Sequence, residues 1–247
     1  PSSISEWILD NFYIIRQAVR QIAEDLPEGY YRRLPLLTAG PLAGLPRIYG
    51  IARELLTSQH YHLHLDVIAP VLIALQEQVP LTMGELWAVP ILLRYALVEA
   101  LAHTLADVLA PSDRPDLPPL IAAAAPEGEA HGGTLATRNG DAASAVANIV
   151  PGLRAIADTD WKTFFEDISA HEAILRQDPA GLYARMDFDT RDAYRKQVER
   201  LALAAGWDER QVATAAVTQA ETAAQAADSV ETAGHIGTYL IGPRREA

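Results

Sequence analysis

Several acidic residues lie where a pair of carboxylates could act on a sugar. Glycosidase chemistry needs two carboxyl groups that face each other about 5–10 Å apart. Glu6 and Asp10 share one face of a predicted helix, and Glu85 lies close to Trp87, whose indole could stack on a sugar ring. The acids considered are Glu6, Asp10, Asp25, Glu85, Asp187 and Asp189. Acids at helix starts usually cap the helix, so a catalytic pair remains the alternative interpretation.

The stretch His60-Tyr61-His62-Leu63-His64 has the composition of a metal-binding tract. On a strand the three histidines would share a face, whereas on a helix only His60 and His64 would align. A zinc site also needs a defined geometry and supporting hydrogen bonds. The stretch lies between two predicted helices, so we interpret it as a polar turn and predict no metal site and no cofactor.

Other motifs that carry chemistry are weak or absent. Asp187-Phe188-Asp189 matches the Asp-x-Asp that many glycosyltransferases use for a divalent cation and a sugar nucleotide. That motif belongs at a strand end, but here it begins a helix, where Asp189 or Thr190 can cap. The sequence has no P-loop, no G-x-G-x-x-G and no G-x-S-x-G. We therefore predict no catalytic residue.

Composition and charge limit the class of protein. The 247 residues are 49% hydrophobic and 21% charged, which is typical of a globular chain. The absence of cysteine excludes disulfides and thiolate metal sites. A net charge of -12 opposes binding to nucleic acid. No uninterrupted apolar run of about 18 residues occurs, so we expect no membrane span in these residues. The N-terminus lacks a basic n-region, so we expect no signal peptide. The chain begins at proline without methionine, so we expect a piece of a longer protein.

Helical periodicity predicts the elements that position these residues. We expect α-helices over 3–23, 46–58, 66–79, 82–105, 141–157, 160–177, 188–205, 208–227 and 229–241. Thr82 and Glu85 form a predicted capping box, and Asp160, Asp189 and Asp208 are predicted N-caps. Pro90 is expected to kink its helix. The predicted fold class is all-α, an orthogonal or bundle-like domain of about eight to ten helices.

Two segments are rich in helix breakers. Residues 25–47 hold prolines and glycines together with tyrosines and leucines, which predicts one ordered Pro/Gly-rich loop. Residues 111–140 are dominated by proline, glycine and alanine and are predicted to be a flexible linker. The linker would separate an N-terminal helical half, 1–110, from a C-terminal helical half, 141–247. We expect the two halves to form one joint domain.

Seven stretches, in this order, resemble the N-terminal helical region of bacterial cyclic β-1,2-glucan synthases. They are EWILDNFYII, EDLPEGYYRRLPLL, GPLAGLPRIYGIA, PLTMGELWAVPILLRYALVE, DWKTFFEDIS, MDFDTRDAYRKQVERLA and ETAGHIGTYLI. The resemblance spans nearly all of the chain except 111–140. It implies a helical domain at the cytoplasmic face of the inner membrane, before the membrane-spanning helices and the glycosyltransferase domain of an enzyme that uses UDP-glucose.

The resemblance implies a non-catalytic part of that synthase. The expected partners are the glycosyltransferase domain of the same polypeptide and, as a second candidate, β-1,2-glucan, with no nucleic acid and no span in this segment. The candidate contact residues are Tyr30, Tyr31, Arg32, Arg47, Glu85 and Trp87. We expect Trp87 to face the Pro/Gly-rich loop and Glu85 to pair with Arg32 or Arg47.

Two other functions remain open from the sequence. One is an all-helical carbohydrate-active module, a glycoside hydrolase or transglycosylase that uses a carboxylate pair. The other is an interaction scaffold that makes no sugar contact.

Overall fold

A computed structural model describes residues 3–109, 135–226 and 234–242 of the chain, and these residues are mostly helical. They contain eleven α-helices and one 3-10 helix, Tyr183–Arg185. In chain order the α-helices are α1 (Ser3–Asp25), α2 (Glu28–Tyr31), α3 (Arg47–Ser58), α4 (Leu65–Gln78), α5 (Met83–Leu109), α6 (Leu135–Asp158), α7 (Trp161–Ile168), α8 (Ala170–Leu175), α9 (Phe188–Ala205), α10 (Glu209–Gln225) and α11 (Gly237–Leu240). No strand forms in these ranges, where pairing is limited to an isolated bridge between Leu36 and Pro46. The all-α prediction is confirmed.

The chain divides into two compact units, and neither is a continuous stretch of sequence. The first unit comprises residues 1–65 and 88–159, and the second comprises 66–87 and 160–247. Helix α5 begins in the second unit and continues in the first, through Pro90 without interruption. The predicted linker 111–140 lies largely outside the described residues, although α6 already begins at Leu135. The division into two halves at the linker therefore stays a prediction.

The Pro/Gly-rich segment is an ordered loop in the first unit, as predicted. The backbone N–H of Leu37 donates to the carbonyl of Leu45 at 2.9 Å, and the N–H of Gly44 donates to the carbonyl of Leu37 at 2.8 Å. Gly40 and Gly44 both have φ of 84°, a conformation that glycine adopts without a side-chain clash. Leu34 and Leu45 are buried. The hydrogen bonds and the leucines together hold the loop in one conformation.

Helices α1, α3, α5 and α6 supply the core of the first unit. The side chain of Arg154 on α6 donates to the Asn11 Oδ1 at 3.2 Å and to the Tyr13 hydroxyl at 3.0 Å, both on α1. A Cβ added at Gly152 would lie 3.1 Å from the Leu97 Cδ1, so α6 and α5 pack closely at this point. Buried leucines, isoleucines and valines fill the interior because these helices present apolar residues at spacings of three and four.

The core of the second unit lies between α9, α10 and α11. Its buried members are Met83, Leu175, Tyr183, Tyr194, Val198, Ala202, Val212, Ala213, Ala216, Val217, Ala220, Ile236 and Leu240. Alanines on α10 let the helices approach, and the two tyrosines bring hydroxyls into this apolar interior. Those hydroxyls need partners, because burying an unpaired polar group costs free energy.

The helix predicted over 160–177 is wrong as one element, because it breaks at Ser169. Ser169 adopts an extended backbone, and its Oγ accepts from the Glu172 N–H at 3.2 Å, which caps α8. The side-chain amide of Gln76 on α4 forms hydrogen bonds with the backbone groups on both sides of this break. Its Nε2 donates to the Ile168 carbonyl at 2.8 Å, and its Oε1 accepts from the Ala170 N–H at 3.4 Å. A distant amide thus replaces the lost helical bonds, and the predicted length could not show this.

The predicted helix starts are partly right. Asp160 and Asp208 are N-caps, and Asp208 forms a capping box with Gln211. The predicted cap Asp189 is wrong. Asp187 caps α9 instead, because its backbone is extended and its Oδ1 accepts from the Thr190 N–H at 2.8 Å. The predicted last helix, 229–241, is described only from residue 234 onward, where α11 covers four residues.

Among the residues that the structure describes, one helix is long and apolar enough to cross a membrane. Met83–Ala106, within α5, reaches a mean hydropathy of 1.4, but 56% of that window is buried inside the protein. The charged residues that interrupt it, Glu85, Arg94 and Glu99, are buried as well. A core helix of a soluble protein has the same composition, so this helix by itself is weak evidence for a span.

Candidate functional site

The predicted contact residues near the Pro/Gly-rich loop all belong to the first unit. Tyr30 and Tyr31 end α2 and are half-buried, and Arg32 follows them exposed. Arg47 begins α3, and its backbone N–H donates to the Pro35 carbonyl at 2.8 Å. Tyr31 lines a small apolar pocket rather than facing solvent, and burial raises the pKa of its phenol.

That pocket belongs to a tyrosine cluster that the sequence did not indicate. The rings of Tyr49 and Tyr95 meet edge to face with centroids 5.6 Å apart. The Tyr49 hydroxyl donates to the buried Glu99 carboxylate, and the His103 Nε2 lies 3.9 Å from the same carboxylate. Burial, followed by the hydrogen bond and charge of Glu99, raises the pKa of Tyr49. The hydroxyl of Tyr95 is buried without a hydrogen-bond partner among the residues described.

Glu85 and Trp87 lie on the first turn of α5, in the second unit. The predicted capping box is confirmed: the Glu85 Oε2 accepts from the Thr82 N–H at 2.9 Å, and the Thr82 Oγ1 accepts from the Glu85 N–H at 3.2 Å. Trp87 stacks on Phe165 with centroids 4.3 Å apart and meets the edge of Phe188 at 5.9 Å. The predicted pairing of Glu85 with an arginine and of Trp87 with the loop stays a prediction.

An arginine–glutamate cluster, buried except at Arg176, lies beside these aromatic rings. We use this name for Glu166, Glu172, Arg176, Arg191 and Arg195. The Arg195 Nη1 donates to Glu172 at 2.8 Å and to Glu166 at 3.2 Å. Arg176 and Arg191 hold Glu166 with nitrogen–oxygen distances of 3.0 Å and 2.7 Å. Glu172 is fully buried, and Arg195 is 1% exposed.

Every oxygen of the two glutamates has a donor within the cluster or beside it. Besides Arg195, Glu172 accepts from the Arg176 Nε at 2.8 Å and from the Tyr183 hydroxyl at 2.7 Å. The Arg195 guanidinium also lies over the Phe188 ring, 4.6 Å from its centroid. Desolvated carboxylates need such pairing to be tolerated, whereas the buried Arg195 Nε has no hydrogen-bond partner among the described residues. The arrangement joins α7, α8 and α9, and it leaves no carboxylate facing a cleft.

A second buried chain of polar groups runs through Asp178, His235 and Tyr194. The Asp178 Oδ2 lies 2.8 Å from the His235 Nδ1, and the His235 Nε2 lies 2.9 Å from the Tyr194 hydroxyl. Asp178 also accepts backbone N–H bonds from Leu182 at 3.0 Å and from Ile236 at 3.0 Å. An aspartate orients the imidazole here as it does in catalytic triads, but its other bonds connect the loop after α8 to α11.

His171 and Glu209 form a buried pair of groups that can each hold a proton. The His171 Nε2 lies 3.4 Å from the Glu209 Oε2, which also accepts from the Met83 N–H at 2.7 Å. Burial, followed by the charge of Arg210, lowers the pKa of His171 to about 4. Burial raises the pKa of Glu209 to about 7. Between about pH 5 and 6 the pair holds about one proton in total and carries little net charge, and at about pH 7 half of that proton is lost from Glu209.

The other residues singled out in the sequence do not converge. Asp187 serves as an N-cap, and Asp189 lies exposed with the Lys162 Nζ at 3.5 Å. The histidine tract forms a turn in which His60 has a positive φ, and the His62 and His64 rings stack 5.5 Å apart. No group of three or more metal-ligating side chains forms in the ranges that the structure covers.

Sequence reasoning missed the arginine–glutamate cluster and the Asp178–His235–Tyr194 chain. Part of the arginine–glutamate cluster is visible as spacing in the sequence. Glu172 and Arg176 are four residues apart, and so are Arg191 and Arg195, a spacing that places two side chains on one face of a helix. Nothing in the spacing showed that α7, α8 and α9 bring these pairs together. That convergence depends on packing between residues distant in sequence.

Comparison with known proteins shows that the chain is similar in sequence to part of a much longer protein. No family model matches the chain. The cyclic beta-(1,2)-glucan synthase NdvB of Rhizobium meliloti (strain 1021) is 27% identical to this chain. The alignment is 301 positions long, gaps included, and covers 98% of this chain. The chain spans only 10% of that protein's length. Over nearly its whole length the chain is therefore similar to a segment of a cyclic β-(1,2)-glucan synthase, and the resemblance drawn from its motifs is confirmed.

Proposed function

We propose that the chain is a non-catalytic helical domain of a membrane-bound cyclic β-(1,2)-glucan synthase. In this proposal it supports glucan synthesis from UDP-glucose by positioning the growing glucan or by docking onto the glycosyltransferase domain of the same polypeptide. It would lie at the cytoplasmic face of the bacterial inner membrane. The observation that carries the proposal is the similarity that covers 98% of this chain and 10% of its relative.

The use of the buried acids supports a role without catalysis. Glu166 and Glu172 are held by a shared donor, the Nη1 of Arg195. Their oxygens already accept from guanidinium groups and a phenol, and Glu172 has no exposure to solvent. A general acid and a nucleophile must instead face a sugar across a cleft.

The enzyme alternative makes a different prediction about the isolated chain. A glycoside hydrolase or transglycosylase would process a β-glucan without the rest of the synthase. Among the acids weighed from the sequence, Glu85 and Asp187 cap helices, which is an ordinary structural use. The pocket beside Tyr31 is lined by no acid, and a second pocket, along α10, is lined by a single acid, Asp208.

An activity assay separates the two functions. The purified chain is incubated with radiolabelled UDP-glucose, and separately with linear β-1,2-glucan, and products are resolved by chromatography. We expect no new glucan and no cleavage, whereas the parent synthase should form glucan under the same conditions. Extension or cleavage by the chain alone would contradict the proposal.

A charge reversal in the parent synthase tests the docking role. Arg32 and Arg33 are adjacent and both exposed, so they provide a matched pair. Because like charges placed across an interface cost free energy, we expect Arg32→Glu to lower glucan yield about tenfold. Arg33→Glu is the control and should lower the yield much less. Equal yields from both variants and the unmodified synthase would remove Arg32 from the proposed contact.

A further inference from the structure

An open groove in the second unit is separate from every residue discussed as a contact so far. It has a volume of about 700 Å³ and runs along α10, from the connection between α9 and α10 toward the middle of the helix. The side chains that decide its chemistry are Pro80, Trp207, Gln211, Thr214, Thr218 and Gln219. A groove of this size can hold several sugar units or a drug-sized ligand.

Trp207 is exposed at one end of the groove although its backbone is held firmly. The indole is 55% exposed, whereas the other three tryptophans are half-buried. Gly206 ends α9 with a φ of 69°, and the Trp207 N–H donates to the Ala202 carbonyl at 3.1 Å. The capping box of Asp208 fixes the following residue. A large aromatic face is thus presented to solvent from a short, rigid connection, at little cost in conformational entropy on binding.

The wall beside Trp207 offers hydrogen-bonding groups without charge. Gln211, Thr214 and Thr218 recur at spacings of three and four, and Gln219 follows Thr218, so the four residues share one exposed face of α10. The hydroxyls of Thr214 and Thr218 and the amide of Gln219 make no side-chain hydrogen bond within the structure as described. Gln211 uses its Oε1 to accept from the Asp208 N–H, and its Nε2 remains available as a donor.

The charged residues at the end near Trp207 are already engaged. The Asp208 Oδ1 accepts from the Gln211 N–H at 2.8 Å, and the Arg210 Nη1 donates to the Gln76 carbonyl at 2.9 Å. An uncharged polar wall is unusual in a chain with a net charge of -12, whose solvent-facing helices carry many acids. Such a wall suits a neutral ligand rich in hydroxyls, because hydroxyl and amide partners avoid the cost of desolvating an ion.

We propose that this groove binds a neutral glucan chain. The indole of Trp207 packs against the apolar C–H face of a glucose ring, and the hydroxyls and amides of α10 exchange hydrogen bonds with the sugar hydroxyls. The identity of the glucan, β-1,2-linked, rests on the proposed function; the site and the class of ligand rest on the groove itself. The groove would hold a segment of product or growing chain while the reaction takes place elsewhere in the synthase.

Titration of the purified chain with linear β-1,2-glucan tests the site. We expect saturable binding in isothermal titration calorimetry and a change in tryptophan fluorescence. Trp207→Ala should weaken binding at least about tenfold, and Thr214→Val with Thr218→Val should weaken it about threefold or more. Leu203→Ala is the matched control, because Leu203 is 86% exposed on α9 and does not line the groove.

A polyanionic polysaccharide such as polygalacturonate serves as the second probe. We expect it to bind much more weakly than the neutral glucan, because the chain is acidic and the cation that lines the groove, Arg210, already donates to the Gln76 carbonyl. The proposal is overturned if the unmodified chain shows no saturable binding of β-1,2-glucan. It is equally overturned if Trp207→Ala binds as well as Leu203→Ala, or if the polyanion binds as tightly as the neutral glucan.

The outcomes also separate this site from the proposed function. Trp207→Phe, which keeps an aromatic ring, should retain most of the binding, and circular dichroism should show that each variant is folded. If the chain fails to bind glucan while Arg32→Glu still lowers glucan yield in the parent synthase, the groove assignment fails and the docking role stands. If the chain binds glucan but also cleaves it, the non-catalytic role fails and the groove stands.

Discussion

At the residue scale, the second unit keeps its buried charges in matched sets. Glu172 and Arg195 are nearly inaccessible to water, and their partners come from α7, α8 and α9. Such sets contribute little net stability compared with apolar packing, but losing one member leaves an unpaired ion in a medium of low polarity. The consequence is a strong dependence of folding on single residues that touch no solvent.

The first prediction concerns Glu172. Glu172→Ala removes one of the two carboxylates that Arg195 and Arg176 share, and it also removes the acceptor of the buried Tyr183 hydroxyl, so we expect a loss of about 3–5 kcal/mol in the free energy of unfolding. Urea denaturation followed by circular dichroism measures this loss. Asp189→Ala removes an exposed acid paired with Lys162 and should cost less than about 1 kcal/mol. Similar losses for the two variants would contradict the structural role of the cluster.

The pair His171 and Glu209 makes opposite contributions to the pH dependence of stability. Glu209 has a pKa of about 7 when folded against an ordinary value of 4.5, so its contribution to stability falls as pH rises through that window. His171 has a pKa of about 4 when folded against 6.5, so its contribution rises as pH rises between these values. The two slopes nearly cancel where the windows overlap, between about pH 4.5 and 6.5.

The second prediction concerns a substitution that removes the contribution of Glu209 to the pH dependence of stability. Glu209→Gln keeps an acceptor for the Met83 N–H but cannot ionise, so only the rising contribution of His171 remains. Relative to the unmodified chain, the variant should gain about 2–3 kcal/mol in unfolding free energy between about pH 4.5 and about pH 7.5. Urea titrations at both pH values measure the gain. Glu221→Gln, at an exposed position of the same helix, is the control, and a Glu209→Gln profile parallel to that control would refute the assignment.

At the element scale, short irregular connections decide where functional side chains lie. Ser169 separates α7 from α8, and this break turns Glu166 and Glu172 toward the same arginine. The Gly206–Trp207 connection exposes an indole between two helices in the same way that other loops present binding residues from a rigid scaffold. Both connections depend on side chains that replace missing helical hydrogen bonds.

The third prediction concerns the helix break. Gln76 is 2% exposed, and its amide pairs with the Ile168 carbonyl and the Ala170 N–H. Gln76→Leu keeps the volume but leaves two buried backbone groups unpaired, so we expect a loss of about 2–3 kcal/mol in unfolding free energy. Gln78→Leu, at an exposed position of the same helix, is the control and should change stability by less than about 0.5 kcal/mol. Chemical denaturation of both variants compares them, and equal stabilities would rule out this role for Gln76.

At the scale of the whole molecule, the chain builds two compact units from interleaved pieces of sequence. Helix α5 contributes its first turn to one unit and its remaining length to the other. Both halves of the sequence are therefore needed to complete either unit.

The sequence alone determined the fold class and most of the helices. Helix α9 lies at its predicted bounds, and the capping box of Thr82 and Glu85 is confirmed, because periodicity and capping depend on neighbours within a few residues. The ordered Pro/Gly-rich loop was predicted for the same reason: its breakers and its leucines are both local features. The long motifs in their order were also sufficient to indicate the relationship to glucan synthases.

Only the tertiary structure decided which residues meet. The ring partners of Trp87 in the second unit, Phe165 and Phe188, are far from Trp87 in sequence. Asp178 and His235, which contact each other, are likewise far apart in sequence. The groove at Trp207 exists because a glycine ends one helix and an aspartate begins the next with the indole left outside. Local pattern fixes an element and its apolar face, whereas the convergence of side chains follows from packing between distant elements, which no short window of sequence contains.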